Sequence, residues 1–163
     1  MPETRPERTG WRDEAISRRH REWGACAGVD IDFLLVEYRA GYPYALIEYK
    51  NKTSELGKAI LAKNWTEANN ILCDNTYQAL RNLGDKAKIP VLVCIYDKND
   101  RSKYIVFALN YYAKTYVPQL KMYDEIGYVQ LLYEIRGMIM PVSLIEKLKG
   151  SEEHERHNQN RAS

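Results

Sequence analysis

The chain has 163 residues, of which 45% are hydrophobic and 28% charged, and its net charge is +2. That length suits one domain with one core, and the near balance of charge excludes a polybasic arm or an acidic tail. Nucleic-acid binding is permitted by this balance and not demanded by it. The three cysteines, Cys26, Cys73 and Cys94, show no CxxC spacing, which argues against a disulfide framework or a zinc site. The opening MPETRPERTG has no apolar stretch of the secretory kind, and no apolar run approaches the roughly 20 residues that span a bilayer. The expectation is a cytoplasmic protein with no membrane partner.

Residues 1–11 read as a flexible N-terminus, 12–150 as a single domain and 151–163 as a disordered polar tail. Within the domain, RDEAISRRHREW (12–23) predicts a surface helix closed by Gly24. Residues 29–37 and 44–50 predict two strands, and the YRAGYP between them makes a hairpin. SELGKAILAK (54–63) predicts a helix with Ser54 at its N-cap. A longer helical pattern runs over 66–83, with Ile71, Leu72, Ala79, Leu80 and Leu83 apolar and Gly84 closing it. VLVCIYD (91–97) is a near-continuous apolar run that suits a buried strand. KYIVFALN (103–110) predicts another strand, 119–137 a helix ending at Gly137, and 142–149 a short helix after Pro141. The order is that of an α/β layout, a central mixed sheet with a hairpin, flanked by helices.

The hairpin carries an anomaly. Asp30, Asp32, Glu48 and Lys50 sit inside runs that otherwise read as buried strand, where acids are disfavoured and a buried charge needs a partner. Residues two apart share a strand face, about 6.6 Å from one another. A turn centred on Ala40 pairs residue 32 with 48 and 30 with 50, and a turn centred on Gly41 pairs 32 with 50. Either register puts all four charges on one side. Ile31, Phe33, Ile47 and Tyr49 then share the other side. A carboxylate from each strand, with the backbone carbonyl of Tyr49, offers the oxygen ligands that Mg²⁺ takes, with Mn²⁺ as a substitute. Lys50 would orient an attacking water or stabilise charge developing on a phosphate. The plain alternative is a set of structural ion pairs, or edge charges that block aggregation.

These residues resemble the PD-(D/E)XK nuclease superfamily, whose signature is an Asp on one strand and an acid-x-Lys on the next strand of a hairpin. Here those are Asp32, or Asp30, and Glu48-Tyr49-Lys50 in ALIEYKNK. The resemblance covers about residues 12–97. It implies a restriction-endonuclease-like core and Mg²⁺-dependent hydrolysis of phosphodiester bonds, in DNA before RNA. It also implies that Gln78, in NTYQALRNLG, lies near the site, and that Glu14, or alternatively Glu22, assists from the first helix.

Other features weigh less. Arg18, Arg19, His20 and Arg21 in SRRHREW offer phosphate contacts or form a solvated helix face. Lys52, Lys58 and Lys63 track a nucleic-acid backbone or lie on a helix surface. Glu37 alternates away from Asp30 and Asp32 and reads as a surface charge. Thirteen Tyr against two Phe is equally consistent with base stacking and with half-buried strand filling. Trp23 and Trp65 read as core or rim packing, and for Tyr111, Tyr112 and Tyr116 core packing is the default over stacking on a strand. His154 and His157, in the polar tail, have no neighbouring ligand partners. Two other functions compete with a nuclease: a nuclease-like fold that binds nucleic acid or a protein without cutting, and a homodimeric Holliday junction resolvase.

Overall fold

A computed structural model describes residues 32–37 and 41–150. The expected helix over 12–23, Asp30 and the tail from Ser151 lie outside the described residues, as does the side chain of Glu37. The described residues form a mixed α/β fold: a five-stranded sheet in the order β1-β2-β3-β4-β5, with helices on both faces.

Strand β1 (Phe33–Glu37) pairs antiparallel with β2 (Tyr42–Asn51). Gly41, at φ +64°, belongs to the turn between them, a conformation that glycine adopts without a Cβ penalty. Next to the turn the register slips: Leu35 opposes Ala45, but Val36 opposes Pro43, leaving Tyr44 as the extra residue. Pro43 has no amide to give the ladder, and a bulge absorbs the mismatch. The slip falls on the turn side, so Phe33 still opposes Ile47. That is the register of a turn centred on Ala40.

Three helices, α1 (Glu55–Leu61), α2 (Trp65–Leu72) and α3 (Asn75–Ala87), carry the chain to β3 (Val91–Asp97), which runs parallel to β2. A parallel neighbour requires a long crossover of this kind. Ser54 caps α1 as expected, its Oγ accepting from the Gly57 amide at 3.1 Å. The single helix expected over 66–83 is two helices, because Asp74 starts a new one by accepting from the Asn75 amide at 2.6 Å. Gly84 does not close α3, which runs on to Ala87 and ends at Lys88 with φ +57°. Gly84 is instead where the helix meets the sheet: an added Cβ would stand 2.1 Å from Val91 Cγ2. The stripe of α3 that packs inward is therefore Tyr77, Leu80 and Gly84, while Leu83 is exposed.

Strand β4 (Asp100–Ala108) returns antiparallel to β3 and starts earlier than expected. A 3-10 turn (Tyr112–Thr115) follows. The helix expected over 119–137 divides into an edge strand, β5 (Lys121–Tyr123), and α4 (Glu125–Ile135). Asp124 separates them, its Oδ1 accepting from the Gly127 amide at 2.6 Å. Gly137 follows α4 with φ +66°, and a fifth helix, α5, begins at 142 and is helical to 150.

Alternation along β3 divides the core in two. Val91, Val93 and Ile95 pack with Leu56, Ile60, Tyr77 and Leu80 under α1–α3. Leu92 and Cys94 pack with Val117, Tyr128, Leu131 and Ile135 under α4. Period-two alternation makes this sorting automatic once both faces are covered.

Candidate metal and phosphodiester site

Glu48 lies on β2 opposite Val93 of β3, and Lys50 opposite Ile95, so both point to the face covered by α1–α3. The Lys50 ammonium contacts Glu48 Oε1 at 2.5 Å. Asp32 joins them from the start of β1, next to the Phe33–Ile47 pair. Its Oδ2 accepts from the Tyr49 amide at 3.0 Å. The amides of Leu46 and Lys52 point toward β3, donating to Pro90 O and Tyr96 O. By strand periodicity the amide and carbonyl of Tyr49 face the other way, to the β1 side where Asp32 stands.

The electrostatics are those of a strained acid. Glu48 is only 4% exposed. Burial pushes its carboxyl above the ordinary carboxylate range; Lys50 opposes the shift and the nearby Asp32 adds to it. Burial disfavours the charge on Lys50 too, but its contact with Glu48 outweighs that and holds its pKa up. Lys50 keeps 31% of its side chain exposed, so its charge is partly solvated.

Among the described residues two polar residues are buried, Glu48 and Asn110, and they differ in kind. Asn110 is satisfied at both ends. Its Oδ1 accepts from the Val91 and Ala113 amides, and its Nδ2 donates to Asp85 Oδ1 and Ile89 O, all within 2.9–3.1 Å. That is a structural clasp between α3, β3 and the end of β4. Glu48 Oε2 has no hydrogen-bond partner among the described residues. An unpaired buried acceptor is unusual and asks for an explanation, such as an ion that belongs there.

On the reverse face, the Tyr49 ring stands edge-on to Phe33 and Tyr96. Its hydroxyl meets that of Tyr128 on α4 at 2.5 Å, and Tyr128 stacks on Tyr104 with centroids 5.0 Å apart. An aromatic anchor thus fixes β2 behind the Glu48–Lys50 pair.

The structure brings Asp32, Glu48, Lys50 and the Tyr49 backbone together as expected. Gln78 lies on α3 with its side chain half-buried. Tyr77, one residue earlier, holds the inward position and feels the charges of Lys50, Glu48 and Asp32. Lys52 forms an ion pair with Asp97 at the end of β3. Asp30, Glu14, Glu22, Arg18, Arg19, His20 and Arg21 lie outside the described residues. Tyr111 is 77% exposed and is not the core residue expected, Trp65 is half-exposed, within the core-or-rim expectation, and Tyr116 packs on the second core.

Among the described residues no group of three or more His, Cys, Asp or Glu side chains is placed to hold a metal ion. Two carboxylates and a carbonyl are nonetheless a donor set that Mg²⁺ accepts, since this ion keeps several waters and binds substrate phosphate alongside one or two carboxylates. The orphaned Glu48 oxygen fits the same role. No helix among the described residues is long and apolar enough to cross a membrane. Comparison with protein-family models, curated proteins and solved structures finds no match for the chain.

Proposed function

We propose that the chain is a metal-dependent nuclease with a restriction-endonuclease-like core, hydrolysing phosphodiester bonds in DNA and, as the second choice, RNA. The observation that carries this reading is Glu48: a buried strand carboxylate with one oxygen unpartnered, a lysine two residues on, and Asp32 beside it. A purely structural ion pair gains nothing from an orphaned oxygen and a second nearby acid. The hairpin, the helical crossover and the parallel β3 also follow the element order that the resemblance implies.

In this reading Asp32, Glu48 and the Tyr49 carbonyl would hold Mg²⁺ or Mn²⁺. The ion supplies Lewis-acid polarisation of the phosphate and a more acidic bound water. Lys50 orients the attacking water and offsets the negative charge that builds on the phosphate oxygens. The Tyr49–Tyr128 contact keeps the ligand-bearing strand from shifting. Arg18, Arg19, His20, Arg21 and Lys52 would supply contacts to the nucleic-acid backbone, with Lys52 exchanging Asp97 for phosphate.

The test is cleavage of a plasmid and of labelled oligonucleotides with Mg²⁺ or with chelator, by wild type and Lys50→Ala. Cleavage should need the metal and fall at least about 100-fold in the variant. Cutting that survives in Lys50→Ala removes the lysine from the mechanism. Nucleic-acid binding with no metal-dependent cutting would make the chain a binding module. Preference for a branched over a linear duplex, together with a dimer in solution, would indicate a junction resolvase.

A further inference from the structure

Tyr77 faces the same side of the sheet as Glu48 and Lys50, and the reaction above gives it no task. Its location follows from three contacts. Gly84 fixes one end of α3 against Val91 at the start of β3. The chain turns back there, the Ile89 amide donating to Gly84 O at 2.9 Å, so α3 runs antiparallel to β3. Two helical turns, about 10 Å, separate Gly84 from Tyr77. About 13 Å of strand separates Val91 from Ile95, the residue opposite Lys50. Tyr77 therefore lies over the rows that carry Glu48 and Lys50, within the same core cluster as Val93 and Ile95. Its ring is buried.

We propose that Tyr77 is a positioning residue whose hydroxyl accepts the Lys50 ammonium when Glu48 turns to a cation. The inference rests on the reading of Asp32, Glu48 and Lys50 as a cation site. Lys50 leans on Glu48. A cation on Glu48 competes for the same carboxylate oxygens and leaves a half-buried ammonium with donors to satisfy. Tyr77 offers a neutral acceptor on that face. Burial raises its pKa, so it stays a phenol at neutral pH. Its lone pairs can hold Lys50 toward the phosphate while its own proton is offered to a phosphate oxygen. A phenylalanine would fill the same space and do neither.

The experiment uses Glu48→Leu, without metal or nucleic acid, to withdraw both the charge and the acceptor oxygens from Lys50. Hydrogen exchange of the Lys50 ammonium is followed by NMR on isotope-labelled lysine. In Glu48→Leu it should remain protected, and adding Tyr77→Phe should speed it about tenfold, as expected for loss of one hydrogen bond to a charged group. Equal exchange with and without the tyrosine hydroxyl overturns the proposal. If the double variant does not fold, Tyr77→Phe alone in saturating Mg²⁺ gives the same readout with the same two outcomes. In the cleavage assay Tyr77→Phe should lower kcat and leave KM unchanged. Because the exchange measurement involves no catalysis, a wild type that fails to cut refutes the nuclease and leaves the lysine result standing on its own.

Discussion

Glu48→Gln separates an acid kept for a cation from an acid kept for an ion pair. The substitution preserves shape and removes the charge. In the metal-free protein it ends the repulsion with Asp32, gives that carboxylate an amide donor, and keeps an oxygen for Lys50. A buried unsatisfied polar group costs about 1–3 kcal/mol, and uncharged substitutes for buried ions are often stabilising by a similar amount. The variant should therefore be more stable than wild type by about 1–2 kcal/mol near neutral pH, or about 3–8 °C in melting temperature. The pH dependence has a definite sign. The folded carboxyl is held above its unfolded value of 4.5, chiefly by burial. Its contribution is thus complete below that value, where both states are protonated, and is lost as pH rises through the folded value. The advantage of the variant should shrink toward acid pH. Urea melts in chelator across that range measure it. Mg²⁺ should reverse the order: wild type gains about 2.7 kcal/mol at a hundred times Kd, and the variant gains far less. A variant that is less stable than wild type in chelator by about 3 kcal/mol or more would show that the Glu48–Lys50 pair is a structural staple, and the cation site would fall with it.

Three further outcomes follow from the packing. Tyr128→Phe leaves the Tyr49 hydroxyl without its buried partner and should cost about 1–2 kcal/mol in a urea melt; an unchanged midpoint would mean that the pair does not hold β2. Gly84→Ala should gain about 1 kcal/mol on helix propensity alone. Crowding against the buried Val91, the Ile89 carbonyl and Asn110 should turn that into a net loss of about 1–3 kcal/mol, and a rise in melting temperature would show that α3 is not seated on β3. The Cys94 thiol is pushed up to about 12 by burial, so it should resist iodoacetamide in the native protein and react on unfolding, while exposed Cys73 reacts at once. Peptide mapping distinguishes the two cysteines.

Much of this molecule is written in local chemistry. The apolar run of Val91–Asp97, the Ser54 cap and the glycine turn before Tyr42 are decided by residues close in the chain, because strand burial, capping and positive φ are local requirements. The charges on the hairpin were legible for the same reason: an acid inside a strand contradicts its neighbours and so marks itself. What local pattern misjudged were the breaks. Asp74 and Asp124 read as ordinary polar residues within long helical patterns, yet each starts a new helix by capping it. Other features needed distant parts of the chain. The stripe of α3 that faces the sheet is set by Gly84 meeting Val91, which turns Tyr77 toward the sheet face that carries Lys50. The partner behind Tyr49 comes from Tyr128, far along the sequence. A sequence shows which side chains conflict with their own strand. Which helix covers them, and with what rotation, depends on shape complementarity between surfaces that meet only when the sheet is assembled.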